Sequence, residues 1–223
     1  MTERSPVVSP TPPKAIFLDA VGTLFGVRGS VGEIYGLFAR QFGVEAEDAA
    51  IDRAFYEVFS ATPEAAFPGA SREALPELEF DWWRGIAART FKAVGAFGQF
   101  DAFDDFFDVA FEYFATADAW EIYPDTVPSL AAWQAQGIPL GIISNFDSRL
   151  YSVLDVLELT DYFETVTLST EVGAAKPDRA VFEAALHRQG VAPADAWHIG
   201  DSQRADIEGA RAVGMQAIHI ERT

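Results

Sequence analysis

Ala15-Ile16-Phe17-Leu18-Asp19-Ala20-Val21-Gly22-Thr23-Leu24 carries an unbroken apolar run into a single carboxylate, followed by a turn that Gly22 makes possible. A short run with no polar alternation reads as a strand covered on both faces. Such strands belong to parallel sheets with helices on either side, and ligands bind beyond the carboxyl ends of those strands. Asp19 therefore stands where chemistry is expected, and the other segments are read against it.

Downstream of residue 119 the pattern repeats strand and helix. Asp125–Gln136 reads as a helix closed by Gly137, Pro139–Ser144 as an apolar strand and Ser148–Leu157 as a helix. Phe163–Ser169 is a strand, a helix runs to Gly190, Trp197–Gly200 is a strand, Ile207–Val213 a helix and Gln216–Ile220 a last strand. Asp19, Ser144 and Asp201 all fall at strand ends. Between residues 25 and 118 the periodicity is helical throughout. Ser30 and Glu33 have capping-box spacing. Ile51, Ala54, Phe55, Val58 and Phe59 form a one-face stripe across Glu47–Thr62 that Pro63 ends. A loop is expected over Phe67–Pro76, then helices over about Glu79–Val94 and Asp101–Thr116, with no strand in the region. The fold class is α/β, a parallel-sheet core of residues 14–24 and 119–223 with an all-helical module, 25–118, inserted between them. Residues 1–13, with four prolines and no apolar segment, read as a flexible tail.

Composition narrows the partners. The formal charge of −18 repels phosphate backbones and anionic membranes, so neither nucleic acid nor a membrane is an expected partner. The inserted module supplies 17 acidic against 7 basic residues. There is no cysteine, which excludes disulfides and thiolate zinc sites and fits a cytoplasmic enzyme. No apolar run reaches membrane-spanning length.

Each candidate residue has a plainer reading beside the chemical one. Asp19 could cap its own turn. Asp201 and Asp206 could be oxygen ligands for a hard cation such as Mg²⁺, or Asp201 or Ser202 could cap the next helix. Lys176 could neutralise Asp19 and a bound anion, or be a solvated surface lysine. Ser144-Asn145 could hold an oxyanion or form a turn.

Taken together, Phe17–Leu24, Ile143-Ser144-Asn145, Glu171-Val172-Gly173 through Lys176-Pro177, and His198-Ile199-Gly200-Asp201 with Asp206 resemble the four ordered motifs of the haloacid dehalogenase superfamily. The helical insert resembles that superfamily's cap. The resemblance implies a Rossmann-like core and a small phosphorylated substrate, with Asp19 as a nucleophile that forms an aspartyl-phosphate. It implies Mg²⁺ held by Asp19, the Val21 carbonyl and Asp201, with Asp206 reaching it through water. Ser144, Asn145 and Lys176 would bind the phosphoryl group, Thr23 would orient Asp19, and Arg28 is a candidate anion contact at the cap entry. Segments 25–30 and 115–122 would be hinges.

One position departs from the pattern. Phosphatases of the superfamily carry a second aspartate two residues after the nucleophile, and here that residue is Val21, which can neither protonate a leaving oxygen nor activate water. Slow turnover of alkyl phosphates follows, with better turnover of acyl and aryl phosphates. The departure also brings in a metal-independent 2-haloacid dehalogenase, which would need a cap arginine such as Arg28, Arg40 or Arg53, and a catalytically weak binding module. Against the dehalogenase stand Gly200-Asp201, where that branch resembles Ser-x-Asn. Phe55, Tyr56, Phe59, Trp82, Trp83, Phe91, Phe97, Phe100, Phe103, Phe106, Phe107, Phe111, Tyr113 and Phe114 are expected to form the cap's own core, with a minority facing the site.

Overall fold

A computed structural model describes residues 12–222; the tail expected over 1–13 lies, up to residue 11, outside them. Five parallel strands form the main sheet: β1 (Ala15–Leu18), β4 (Leu140–Ser144), β5 (Thr165–Leu168), β6 (Ala196–Gly200) and β7 (Gln216–His219), in the order β5-β4-β1-β6-β7. β1 is central and all four of its residues are buried. Its alternation splits them between two cores. Ile16 and Leu18 pack with Leu140, Ile142 and Leu130 on one face, while Ala15 and Phe17 pack with Ile143, Val181 and Phe182 on the other. Helices α5 (Thr126–Ala135) and α6 (Arg149–Val156) cover the first face. The second is covered by α8 (Arg179–Gln189) and α9 (Gly209–Ala212). A four-residue α7 (Ser169–Val172) follows β5, and a π-type turn over Gln203–Glu208 leads into α9.

The chain leaves β1, returns as β4 beside it, moves outward to β5, and then crosses back to β6 on the other flank of β1. The order reverses at β1, so the carboxyl end of β1 opens into the crevice where a doubly wound sheet binds its ligand.

Between β1 and β4 lie α1 (Val31–Gln41), α2 (Asp48–Ser60), α3 (Leu75–Ala93) and α4 (Phe103–Tyr113). The Ser30–Glu33 capping box forms with both of its hydrogen bonds. α3 starts four residues before the expected Glu79, because Pro76 is a good first-turn residue. These helices share a core built largely of rings, among them Tyr35, Phe55, Phe91, Phe106 and Phe107. Many adjacent rings meet edge-on, as in Phe91–Phe106 at 5.2 Å between centroids.

One expectation for this region fails. Phe25–Val27 is a strand, β2, paired antiparallel with β3 (Trp120–Ile122). The segments expected to be hinges, 25–30 and 115–122, are thus tied to each other in part, through a two-stranded ribbon of 25–27 with 120–122. Three residues are too few to show a period of two, and Gly26 interrupts the apolar signal.

Candidate active site

Asp19 follows β1 directly, is 8% exposed, and donates its N–H to the Ile199 carbonyl at 2.9 Å, which ties it to β6. Lys176 comes from the loop after α7. It is 2% exposed, and its Nζ donates to Asp19 Oδ1 at 2.7 Å and to Asp206 Oδ1 at 2.6 Å. That disposes of the solvated-lysine reading. Asn145, just past β4, fixes the lysine's backbone from two sides. Its Nδ2 donates to the Lys176 carbonyl at 3.0 Å, and its Oδ1 accepts from the Lys176 N–H at 2.8 Å.

Asp206 is buried and fully engaged. Besides Lys176, its Oδ1 meets His198 Nε2 at 2.8 Å, and its Oδ2 accepts from the Ser202 N–H at 3.0 Å. Burial opposes ionisation of Asp206, but Lys176 and the His198 hydrogen bond outweigh it and hold the carboxyl well below the usual range. Burial lowers the His198 pKa, which favours the neutral ring, with Nε2 protonated to donate to Asp206 and Nδ1 without a partner among the described residues. Ser202 Oγ accepts from the Ala205 N–H and caps the following turn, which frees Asp201 from the capping role. Two glycines make the crowding possible. Gly22 has φ +85°, and a Cβ there would overlap the Asp201 carboxylate; a Cβ on Gly200 would overlap that of Asp206.

Asp19, Asp201 and Asp206 each offer an oxygen within 4.8 Å of the others. Burial raises the Asp19 pKa, with Asp206 adding to the shift and Lys176 opposing it. Burial, then repulsion from Asp19 and Asp206, pushes Asp201 up to about 6. Three carboxylates thus share one lysine, a charge excess and an all-oxygen donor set that suit a hard divalent cation.

These groups sit at a cavity of ≈ 320 Å³ lined also by Val21, Ser144, Asn145, Glu64 and Arg149. Half of the cap rings named from the sequence line it: Phe55, Tyr56, Phe59, Trp83, Phe107, Phe111 and Phe114. The site's share is larger than the minority expected, because α2, α3 and α4 each turn part of an aromatic face toward the sheet.

Two sequence-derived assignments are not met. Thr23 is buried, but its Oγ1 has no hydrogen-bond partner among the described residues, so it does not orient Asp19 that way; the turn closes instead through Thr23 and Leu24 N–H groups on the Ala20 carbonyl, at 3.2 and 2.7 Å. Arg28 does not line the cavity. Its Nη2 donates to the Trp120 carbonyl at 2.9 Å, across the β2–β3 ribbon. Arg40 and Arg53 do not line it either.

The cavity's second cation, Arg149, carried no motif. Its Nε and Nη2 donate to the buried Asp147 at 2.8 and 2.7 Å, its Nη1 to the Phe111 carbonyl at 2.9 Å, and it lies 3.6 Å over the Phe111 ring. Trp83 Nε1 donates to Asp147 Oδ2 at 2.6 Å, and the buried Glu79 accepts from both the N–H and the hydroxyl of Ser148. The loop after β4 is thereby pinned to α3 and α4. Glu64 was also missed; burial holds its carboxyl above the usual range, with Asn145 and Lys176 pulling the other way.

The haloacid dehalogenase-like hydrolase family matches residues 13–214. Haloacid dehalogenase-like hydrolase domain-containing protein 3 of Mus musculus is 35% identical over 204 residues, which is 91% of this chain and 79% of the mouse protein. A HAD phosphatase from Thermococcus onnurineus superposes with TM-score 0.63 at 26% identity, covering 94% of this chain and 86% of that one. A 2-haloacid dehalogenase from Pseudomonas syringae pv. Tomato DC3000 does so with TM-score 0.59 at 25% identity, covering 93% and 86%. Names of both chemistries occur among the similar structures, so the choice between them rests on the residues of the site.

Proposed function

The chain belongs to the haloacid dehalogenase-like hydrolases, and from that premise we propose that it is a Mg²⁺-dependent phosphatase of small phosphate monoesters that works through an aspartyl-phosphate at Asp19. The observation that carries this reading is the trio Asp19, Asp201 and Asp206, with oxygens within 4.8 Å of one another and Lys176 bridging Asp19 and Asp206. Asp19, Asp201 and the Val21 carbonyl would hold the ion. Asp206 would act in the outer shell, since both of its oxygens already accept hydrogen bonds. The cation supplies charge neutralisation for the phosphoryl oxygens, which is the main demand of phosphoryl transfer.

The protein's own residues do the rest. The Asp19 carboxylate attacks phosphorus, and the bond to the ester oxygen breaks with its electron pair going to that oxygen. The departing oxygen takes its proton from water, because Val21 has none to give. Lys176 screens the charge as it builds, and Ser144 donates to a phosphoryl oxygen. Water then attacks the aspartyl-phosphate, releasing phosphate and restoring Asp19. The cap helices, residues 25–118 in this division of the chain, wall the cavity against bulk water.

Val21 favours a second reading, dehalogenation, since halide leaves without a proton. Against it, the cavity's Arg149 comes from the core and is neutralised by Asp147. The test is a panel of phosphate esters and 2-haloacids with and without Mg²⁺, comparing the wild type with Asp19→Asn. Mg²⁺-dependent phosphate release should fall by up to about 10⁶-fold in the variant, the scale of removing a nucleophile. Halide release that persists in excess chelator would overturn the proposal.

A further inference from the structure

The cavity gathers most of its polar groups at one end. Asp19, Ser144, Lys176 and the two further aspartates occupy that end, and aromatic rings make up most of the remaining wall. Phe59 stacks on Trp83 at 5.8 Å, and Trp120 meets Phe114 and Phe146 edge-on at 5.9 and 5.7 Å. Among the cavity's residues the cations are Lys176 and Arg149. Lys176 is held by two carboxylates, and Arg149 has hydrogen bonds to Asp147 and to the Phe111 carbonyl. Glu64 stands beside Asn145 and Lys176, at the polar end.

From this we infer that the site selects phosphate monoesters whose body is a flat aromatic group carrying no second charge; the phosphoryl end of this inference rests on the phosphatase reading above. A sugar-like body would surrender several water hydrogen bonds and find few partners on a wall of rings. A body with a carboxylate or second phosphate would find no uncommitted cation among the cavity's residues. A ring gains offset-stacked and edge-on contacts with the wall, and ≈ 320 Å³ lies at the small end of ligand cavities, a volume for one or two rings. The missing proton donor at Val21 points the same way, since a phenolate leaves more readily than an alkoxide.

Binding of non-hydrolysable phosphonates separates selection of the body from turnover. In the Mg²⁺-loaded full-length protein, calorimetry should find phenylphosphonate bound about tenfold tighter than methylphosphonate, a difference of about 1.4 kcal/mol. Phe59→Asn should lower that ratio by about half, one ring of several being removed from the wall, while leaving methylphosphonate affinity unchanged, which also shows that the variant is folded. Equal affinities in the wild type, or an equal loss for both ligands in Phe59→Asn, would overturn the inference. Hydrolysis of acetyl phosphate is assayed alongside. If it proceeds while the two phosphonates bind alike, the aromatic selection fails and the phosphatase reading survives. If no phosphate ester or acyl phosphate is turned over while phenylphosphonate is still preferred, the phosphatase reading fails and the aromatic selection survives.

Discussion

The two sides of the cavity are built on opposite plans. On the sheet side, a few residues at fixed strand ends carry the chemistry, and each is held by a bond that can be named: Lys176 by Asn145, Asp206 by His198 and Ser202, Asp19 by the main chain of β6. On the helical side there is little specific bonding at the cavity and a large area of ring against ring. The sheet side therefore tolerates almost no change of residue type. The helical side depends on summed area and shape, so single changes there should grade its behaviour rather than abolish it. On the proposed function, reaction type follows from the first plan and choice of substrate from the second.

The sharpest way to break that division is to alter the sheet side and watch substrate preference. Val21→Asp restores a carboxyl beside Asp19, and general acid–base help of this kind is worth about 10²–10⁴-fold. Turnover of alkyl phosphates should rise toward that range, while acetyl phosphate, whose leaving group needs no proton, should change little. A change of equal size for both would mean that position 21 acts on the phosphoryl group and not on the leaving oxygen.

Removing the shared cation should have the next largest effect. Lys176→Met leaves Asp19 facing Asp206 with no cation between them, only the His198 and Ser202 hydrogen bonds to Asp206 remaining, and breaking a buried pair in this way costs about 3–5 kcal/mol. Denaturant unfolding should report that loss, and Mg²⁺ should recover part of it by supplying charge to the same carboxylates. Unchanged stability would show that the lysine's ion pairs only offset its own burial.

The contrast also accounts for what could be read from the sequence. Strand-end chemistry is written locally: a short apolar run followed by Asp19, Ser144 or Gly200-Asp201 names both the element and the residue. Asp147, Arg149 and Glu79 were illegible because their meaning lies in contacts between segments tens of residues apart, as with Trp83 and Asp147. Nothing in the local pattern separates Glu79, 2% exposed, from its solvated neighbours on α3. β2 and β3 escaped because three-residue strands carry no period. The helices were legible from their apolar stripes, but which rings turn toward the sheet depends on how α2, α3 and α4 are packed, and a one-dimensional pattern does not encode that.

A milder change probes the seam between the two sides. Trp83→Phe keeps the ring in the cavity wall and deletes one hydrogen bond to the buried Asp147. A bond to a charged acceptor is worth about 1.5–3 kcal/mol, and the lower end applies because Arg149 still satisfies both oxygens. Unfolding should shift by that amount with little effect on phenylphosphonate binding. Loss of binding without loss of stability would mean that the seam shapes the cavity and does more than fasten the helices.

The smallest effect expected is a dependence on pH seated in Asp201. Its folded pKa, about 6, lies above the ordinary 3.8 because of burial first and of Asp19 and Asp206 next. For a carboxyl raised in this way, the stability it contributes is fully present below the ordinary value and is lost as pH rises through about 6. The metal-free protein should therefore lose stability from this group between about pH 4 and 6, the window in which a cation gains its ligand. Proton and Mg²⁺ compete for the same oxygens, so Mg²⁺ affinity should strengthen by up to about tenfold per pH unit below 6 and level off above it. Calorimetric titrations at pH 5, 6 and 7 measure this directly, and Asp201→Asn should bind more weakly with a flatter profile. A wild-type affinity independent of pH across that range would remove Asp201 from the ligand set and leave the cation to Asp19 and the main chain.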